Sequence, residues 1–206
     1  RGSERLFRDG FRQNHVLRGI IGDGAHGSQI RPVRGDGIAA LHSGPEGRGL
    51  RGEQRDQRVV RGELGERLFH FRACYAQDWL IGPAFPLVWR LQSKVAGSGS
   101  LGDLGSHLVD LGRYLVGEFQ EVCAISQTFI KERPLPGKAG ALGKVTVDDA
   151  VSVVGRFRNG ALATLEMTRI APGRKNALTI EINGSEGSLI FDLEQMNRLQ
   201  LYRTRD

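Results

Sequence analysis

The chain has 206 residues, a formal net charge of +6, 39% hydrophobic residues and two cysteines. That length is enough for one large domain or two small ones with a real core. No apolar run approaches the roughly 18 residues of a membrane span, and no signal-peptide core follows the charged N-terminus. These features exclude a membrane-spanning protein and predict a soluble, cytoplasmic one.

Residues 1–57 form a Gly/Arg-rich segment in which no period of 2 or 3.6 residues is sustained. Arg-Gly pairs begin at positions 1, 18, 34, 48, 51 and 61, and the first 65 residues contain twelve Arg but no Lys. Arginine neutralises phosphate, but the aromatic residues that stack on bases are missing and acidic residues are scattered throughout. We therefore expect an irregular segment and no nucleic-acid partner.

A glycine motif lies within this segment. Gly22, Gly24 and Gly27 match G-x-G-x-x-G after a short apolar run. In a dinucleotide-binding fold such glycines permit a tight turn and bring the pyrophosphate to a helix N-terminus. The preceding run is interrupted and proline follows soon after, so a chance match in a Gly-rich segment is the alternative. On the functional interpretation, these three glycines bind a cofactor.

Beyond this segment the sequence alternates as strands do. Strands are predicted over residues 67–75, 119–133, 145–157, 161–169, 177–183 and 188–192. Asn159-Gly160 is the strongest hairpin signal, and the hairpins together indicate an antiparallel sheet with one apolar face. Cys74 and Cys123 fall inside strand-like segments, which predicts two reduced, buried thiols. Asp148-Asp149, at a strand start, is typical of a turn or a solvated pair.

Leucines at 104, 108, 111 and 115 predict a helix that Gly117 ends. Asp103 and His107, at its start, are four residues apart and share one face, so they can address one bound molecule together. Two other interpretations remain open. Asp103 could simply cap the helix, or Asp103, His107 and Asp110 could ligate a metal. Trp79 and Trp89 are expected to be core or interface residues on base rates.

Several separated motifs, taken together, resemble one known family. They are GELGE at 62–66, YAQDW at 75–79, FPLVWR at 85–90, AGSGSLGDLGSH at 96–107, VDDA at 147–150 and EINGSEG at 181–187. In order and spacing they resemble the C-terminal domain of the Gfo/Idh/MocA family of NAD(P)-dependent sugar and cyclitol dehydrogenases. The resemblance implies an α+β fold, with a mostly antiparallel sheet and helices packed on one face, after an N-terminal Rossmann domain.

The resemblance also implies a site. Asp103 and His107 match the family's G-D-x-G-x-H motif, whose Asp and His bind the substrate hydroxyl and move its proton. Two polar loops are expected to line the pocket, with Trp89, Arg90 and Lys94 in the first and Arg174, Lys175 and Asn176 in the second. The implied cofactor is NAD or NADP, and the implied substrate is a sugar or cyclitol. A homo-oligomer formed through the sheet face is expected, without nucleic-acid or membrane partners and with no metal.

The chain also departs from the family pattern. No Lys precedes Lys94 and no E-K-P motif occurs, although the family uses that lysine as a third catalytic group. About 35 residues separate Gly27 from Gly62, whereas a complete Rossmann domain would need some 100 more. We expect residues 1–57 to be a Rossmann remnant, partly out of frame in a GC-rich gene, before a substrate and oligomerisation domain at 58–206. The alternative function is a catalytically inactive remnant that persists as a folded or self-associating domain.

Overall fold

A computed structural model of the protein describes residues 28–30, 41–43 and 49–204. The chain divides into two compact units, Arg1–Leu50 and Arg51–Asp206. In the first unit, β1 (Ser28–Ile30) pairs antiparallel with β2 (Leu41–Ser43). The three glycines of the predicted cofactor motif, Gly22, Gly24 and Gly27, lie outside the described residues.

Helix α1 (Gly49–Leu64) leads into the second unit, which contains a seven-stranded sheet. The strands of that sheet are β3 (Leu68–Ala76), β4 (Phe119–Gln127), β7 (Ala150–Phe157), β8 (Leu162–Thr168), β9 (Ala177–Gly184), β10 (Gly187–Asp192) and β11 (Leu199–Arg203). Their order across the sheet is β11-β10-β9-β3-β8-β7-β4. A separate hairpin pairs β5 (Glu132–Pro134) with β6 (Leu142–Lys144).

Strand β3 occupies the middle of the sheet. It pairs antiparallel with β9, where Phe71 lies opposite Ile182, and parallel with β8, where Phe71 lies opposite Ala163. The other neighbouring strands of this sheet run antiparallel. The predicted α+β class with a mostly antiparallel sheet is therefore confirmed. The parallel pair was not predicted, because β8 and β9 are consecutive in sequence and local signals cannot show that β3 separates them.

The alternation predicted for β8 is confirmed. Ala163, Leu165 and Met167 are buried on one face, while Leu162, Thr164 and Glu166 are exposed on the other. The predicted Asn-Gly hairpin also forms, since β7 and β8 pair antiparallel across it and Gly160 has a φ of 90°. Positive φ carries no penalty for glycine, which explains the residue at this turn.

A helical segment packs on the buried face of the sheet. It consists of a π-helical turn (Leu101–Gly105) that continues into α3 (Ser106–Leu115). The approach is close, because a Cβ at Gly112 would lie 3.2 Å from the rings of Phe71 and Phe119. Gly117 follows the helix with a φ of 131°, as the predicted stop requires. Among the described helices, none combines the length and apolarity needed to cross a bilayer.

Two predicted strands are shorter than their sequence patterns suggested. The predicted strand at 119–133 is interrupted between Gln127 and Glu132, and the one at 145–157 begins only at Ala150. The cause is a buried turn, in which the Asp149 carboxylate accepts hydrogen bonds from the backbone N–H groups of Phe129 (2.8 Å) and Ile130 (3.1 Å). Asp149 is fully buried, so the prediction of a solvated pair is wrong for this residue.

A second buried charge holds the loop before the helical segment. Arg133, on β5, is 0% exposed and donates from Nη1 to the Gly82 carbonyl (2.7 Å) and from Nη2 to the Leu80 carbonyl (2.6 Å). Its guanidinium lies 5.8 Å from the centre of the Phe85 ring. Arg133 thereby satisfies backbone carbonyls that no strand pairs, and it fixes the path of residues 80–85.

The two cysteines are free thiols, as predicted, but they are not both buried. Cys123 is exposed and Cys74 is half-buried, so the prediction of two buried thiols is wrong. Cys123 lies on β4, at the sheet edge, on the face opposite the helical segment. Burial, reinforced by Glu166, raises the pKa of the Cys74 thiol, which favours its unreactive protonated form.

Candidate functional site

The start of the helical segment is fixed by an aspartate from another part of the chain. The Asp148 carboxylate accepts hydrogen bonds from the backbone N–H groups of Gly99 and Leu101 (both 2.8 Å) and from the Ser100 hydroxyl (2.7 Å). It thus satisfies donors that a helix N-terminus leaves without intrahelical partners. The prediction that Asp148 belongs to a turn or solvated pair is therefore wrong, because its carboxylate is a structural cap.

Gly99 lets the two segments meet. A Cβ at this position would overlap the backbone carbonyl oxygen of Asp148 and lie 2.8 Å from Nη2 of Arg169. The small residue at this position therefore admits another part of the backbone.

Asp148, and not Asp103, caps the helical segment, so the alternative interpretation of Asp103 as a cap is not needed. The Asp103 carboxylate is therefore available for other contacts. Its carboxylate is flanked by two arginines, with Oδ1 3.5 Å from Nη1 of Arg90 and Oδ2 3.6 Å from Nη1 of Arg169. Arg90 is half-exposed, whereas Arg169 is 1% exposed. Asp103 itself is partly exposed, so one side of its carboxylate remains accessible to a ligand.

Arg169 connects the site to the body of the domain. It donates from Nη2 to the Asp148 carbonyl (3.1 Å), and its guanidinium lies 5.5 Å from the centre of the Trp79 ring. Burial lowers the pKa of Arg169, while Asp103, Asp148 and Asp149 oppose that effect. The nearby carboxylates therefore compensate the cost of burying this cation.

His107 is exposed one turn further along the helix, where its ring makes an edge contact with Tyr75 at 5.9 Å. The Tyr75 hydroxyl donates to Oδ1 of Asn176 (2.8 Å), which also accepts from Nε2 of Gln77 (2.9 Å). Burial raises the pKa of Tyr75, and the nearby charge of Asp103 adds to that shift. Tyr75 thus contacts His107 and remains a neutral phenol at ordinary pH.

The residues predicted to line the pocket fall into two groups. Trp89 is 57% exposed beside the site, and Arg90 stacks on its ring at 5.2 Å. Lys94 lies on the short helix α2 (Ser93–Ala96) and is exposed. Asn176, from the second loop, reaches the site through Tyr75.

The other two residues of the second loop engage carboxylates outside this cluster. Lys175 binds Asp78 (2.6 Å), and this hydrogen bond lowers the pKa of the Asp78 carboxyl. Arg174 lies 3.8 Å from Glu194. Their predicted contact with a substrate is not shown by these pairings and stays a prediction.

Sequence reasoning missed four members of the site: Tyr75, Gln77, Asp148 and Arg169. Tyr75 and Gln77 belong to the quoted motif YAQDW and alternate at the end of β3, which was an available signal for a shared face. Asp148 belongs to the quoted motif VDDA, but neither it nor Arg169 carried a signal for its contacts, because each acts on residues tens of positions away. Their roles follow only from the way β7 and β8 meet the helical segment.

The geometry does not support the metal alternative. Within the part of the chain that the structure describes, no three His, Cys, Asp or Glu side chains converge on a point where an ion could bind. The described residues also form no Gly-rich turn between a parallel strand and a helix, which is the element that holds a dinucleotide pyrophosphate. No cofactor contact is therefore assigned to the described residues.

Known proteins match this domain in sequence. The chain is 46% identical over 154 residues to levoglucosan dehydrogenase of Pseudarthrobacter phenanthrenivorans, a match that covers 69% of this chain and 39% of the relative. This chain thus spans about two fifths of the length of that relative. The sequence model of the GFO/IDH/MocA C-terminal domain matches residues 54–190.

Solved structures share the fold. An oxidoreductase domain protein from Kribbella flavida is 46% identical with a TM-score of 0.69, covering 77% of this chain and 43% of that one. Levoglucosan dehydrogenase in complex with NADH and levoglucosan is 43% identical with a TM-score of 0.67, covering 75% of this chain and 42% of that one. The sequence motifs, the mixed sheet with its packed helical segment and the family match agree, and the chain belongs to the Gfo/Idh/MocA family, of which it contains the C-terminal domain.

Proposed function

We propose that this chain provides the substrate half of an NAD(P)-dependent dehydrogenase that oxidises a hydroxyl group of a sugar or cyclitol. One observation carries the proposal. A partly exposed carboxylate (Asp103), an exposed imidazole (His107) and a phenol (Tyr75) meet at the start of one helical segment. The relative solved with NADH and levoglucosan supports both the cofactor and the substrate class.

Oxidation of a hydroxyl removes a hydride from carbon and a proton from oxygen. When bound, NAD(P)⁺ supplies the hydride acceptor, and the residues of this chain handle the proton. His107 accepts it from the substrate hydroxyl, since imidazole is suited to general-base work near neutral pH. Asp103 accepts a hydrogen bond from a neighbouring hydroxyl and stabilises the imidazolium that forms. Tyr75 limits the pocket beside His107 and offers its hydroxyl oxygen to the substrate.

The remaining predicted residues form the walls in this proposal. The exposed Trp89 ring presents an aromatic surface to the C–H face of a sugar ring, and Arg90 and Lys94 donate hydrogen bonds to its hydroxyls. Asn176 orders Tyr75 from the opposite side. Arg174 and Lys175 leave their present partners, Glu194 and Asp78, to contact the far end of a larger substrate.

A cofactor and substrate titration tests the proposal. The purified protein is titrated with NADH and with NADPH by fluorescence, and turnover is then measured with levoglucosan, L-sorbose and a cyclitol. Saturable binding of one nucleotide, with turnover of at least one hydroxyl substrate, supports the dehydrogenase. If neither nucleotide binds at millimolar concentration and no substrate is turned over, the chain is the inactive remnant instead.

Replacement of His107 by alanine is expected to lower kcat by about 100-fold or more if this residue is the general base. The reason is that, without the His107 imidazole, the proton of the substrate hydroxyl must pass to water. His70→Ala is the matched control, since His70 lies near the other end of β3 from Tyr75. The two variants are compared by steady-state kinetics at several pH values. Equal rates for His107→Ala and the unsubstituted protein would remove His107 from the mechanism.

We also propose that two copies associate through the uncovered face of the sheet. Ile125, Val154 and Leu162 are at least half-exposed there, and Cys123 pairs with Val154 on the same face. Exposed apolar residues on the uncovered face of a sheet are typical of an interface between subunits. We expect a dimer in sedimentation equilibrium and protection of Cys123 from a thiol reagent as protein concentration rises. Val154→Glu should restore fast Cys123 labelling, and concentration-independent labelling of the unsubstituted protein would contradict the interface.

A further inference from the structure

Arg169 has an environment that is unusual for a cation. It is 1% exposed, although it lies only 3.6 Å from a carboxylate that is itself partly exposed. Full burial of an arginine is rare, and here hydrogen bonds compensate it only in part, because the buried Nε of Arg169 has no hydrogen-bond partner among the described residues.

The guanidinium is held at three points. Its Nη2 donates to the Asp148 carbonyl (3.1 Å), its face covers the Trp79 ring at 5.5 Å, and its Nη1 points to Oδ2 of Asp103. The backbone around it is also fixed, since the Arg169 N–H donates to Asp149 (3.1 Å) and its carbonyl accepts from Leu80 (3.1 Å). The planar fork therefore cannot rotate without breaking one of these contacts.

The two oxygens of Asp103 are consequently not equivalent. Oδ2 faces the buried, immobilised Arg169, whereas Oδ1 faces Arg90, whose side chain is half-exposed and attached to a short 3₁₀ turn, Trp89–Leu91. A substrate hydroxyl can replace the Arg90 contact, but it cannot reach the buried side. The carboxylate is thus presented in one orientation, with Oδ1 toward the open side.

We propose that Arg169 is the positioning residue of Asp103, which fixes the carboxylate so that one oxygen is always directed at the substrate hydroxyl. The role deepens the proposed dehydrogenase function and rests on it. Orientation of this kind matters because a misplacement of about 1 Å in a catalytic group can cost on the order of 100-fold in rate. Lysine cannot supply it fully, since an ammonium group is a point charge without a planar fork.

A spectroscopic test does not depend on turnover. The rotation rate of the guanidinium Nη groups is measured by NMR of labelled arginine side chains in the full chain. The Arg169 signals are assigned as those that are missing from the spectrum of Arg169→Lys. Asp103→Asn should speed Nη rotation of Arg169 by several-fold and leave Arg133, which is bound to the Leu80 and Gly82 carbonyls, unchanged. Unchanged Arg169 rotation would overturn the proposal even if the enzyme is active, because the two groups would then not be coupled.

Kinetics of the active protein provide the second test, as a double-mutant cycle. Arg169→Met and Asp103→Asn should each lower kcat by about 10- to 100-fold. The kcat of the double variant should be no more than about 3-fold below that of the less active single variant. Arg169→Lys should recover part of kcat with little change in KM. Multiplicative losses would mean that Arg169 acts only through the fold. If Arg169→Met does not fold, the same cycle with Arg169→Lys decides the question. Absence of turnover in the unsubstituted protein would contradict the proposed function but not the coupling between Arg169 and Asp103.

Discussion

Asp148→Ala is expected to lower the free energy of unfolding by about 3–5 kcal/mol, more than a typical helix cap contributes. The carboxylate accepts three hydrogen bonds at 2.7–2.8 Å, from Gly99, Ser100 and Leu101, and each bond to an ionised group contributes roughly 1.5–3 kcal/mol. Alanine removes the acceptor oxygens of all three hydrogen bonds at once. Urea denaturation of the full chain, followed by circular dichroism, measures the loss.

Asp192→Ala is the matched control for that experiment. Asp192 also precedes a helical turn, Leu193–Gln195, and accepts from the backbone N–H of Glu194 at 2.9 Å, but in an exposed position. Its replacement should cost about 1 kcal/mol or less. If the two variants lost equal stability, Asp148 would be an ordinary surface cap, and the account of the site helix given above would be wrong.

Arg133→Met is the second change with a large expected effect, again about 3–5 kcal/mol of unfolding free energy. Methionine fills much of the same volume but leaves the Leu80 carbonyl without its donor and removes one of the two donors to the Gly82 carbonyl, which keeps the Phe85 N–H. It also leaves Asp149, a fully buried carboxylate whose charge favours the cationic form of Arg133, with one cation fewer. The loss is large because the two hydrogen bonds come from a charged donor and the Leu80 carbonyl keeps its desolvation penalty.

The control for Arg133 is Arg156→Met. Arg156 lies 3.4 Å from Glu121, and both side chains are more than half-exposed. Exposed ion pairs of this kind contribute little, so the change should stay within about 0.5 kcal/mol. Thermal and urea denaturation of both variants give the comparison. A loss below about 1 kcal/mol for Arg133→Met would show that residues 80–85 hold their path without it.

Local patterns were sufficient to predict much of this fold. The alternation in β8, the Asn159-Gly160 turn and the leucine stripe ended by Gly117 all appear in the structure, because each depends on residues a few positions apart. The family resemblance added the α+β class and the site motif. Patterns failed where a polar side chain ended a strand. The interruption after Gln127 depends on Asp149, which lies about twenty residues later, just before β7, and gives no local signal.

The candidate site was predictable only in part, for a related reason. The interval between Asp103 and His107 is a helical period, so the sequence could show that they share a face. The groups that hold Asp103 come from three separate segments, which bring Arg90, Asp148 and Arg169 around the start of the helix. An arginine in a strand pattern is ordinarily read as exposed, and only tertiary structure shows that Arg169 is buried.

The central position of β3 has a consequence for how this domain folds. His70 pairs with Leu162, so the parallel neighbour of β3 exists only after roughly ninety more residues have been synthesised. At about 5–20 residues per second that interval lasts several seconds, during which both edges of β3 lack their partners. Loop closure over such a separation is entropically unfavourable and slows folding. The site at the end of β3 is therefore completed only after β8, and Arg169 directly after it, have been synthesised.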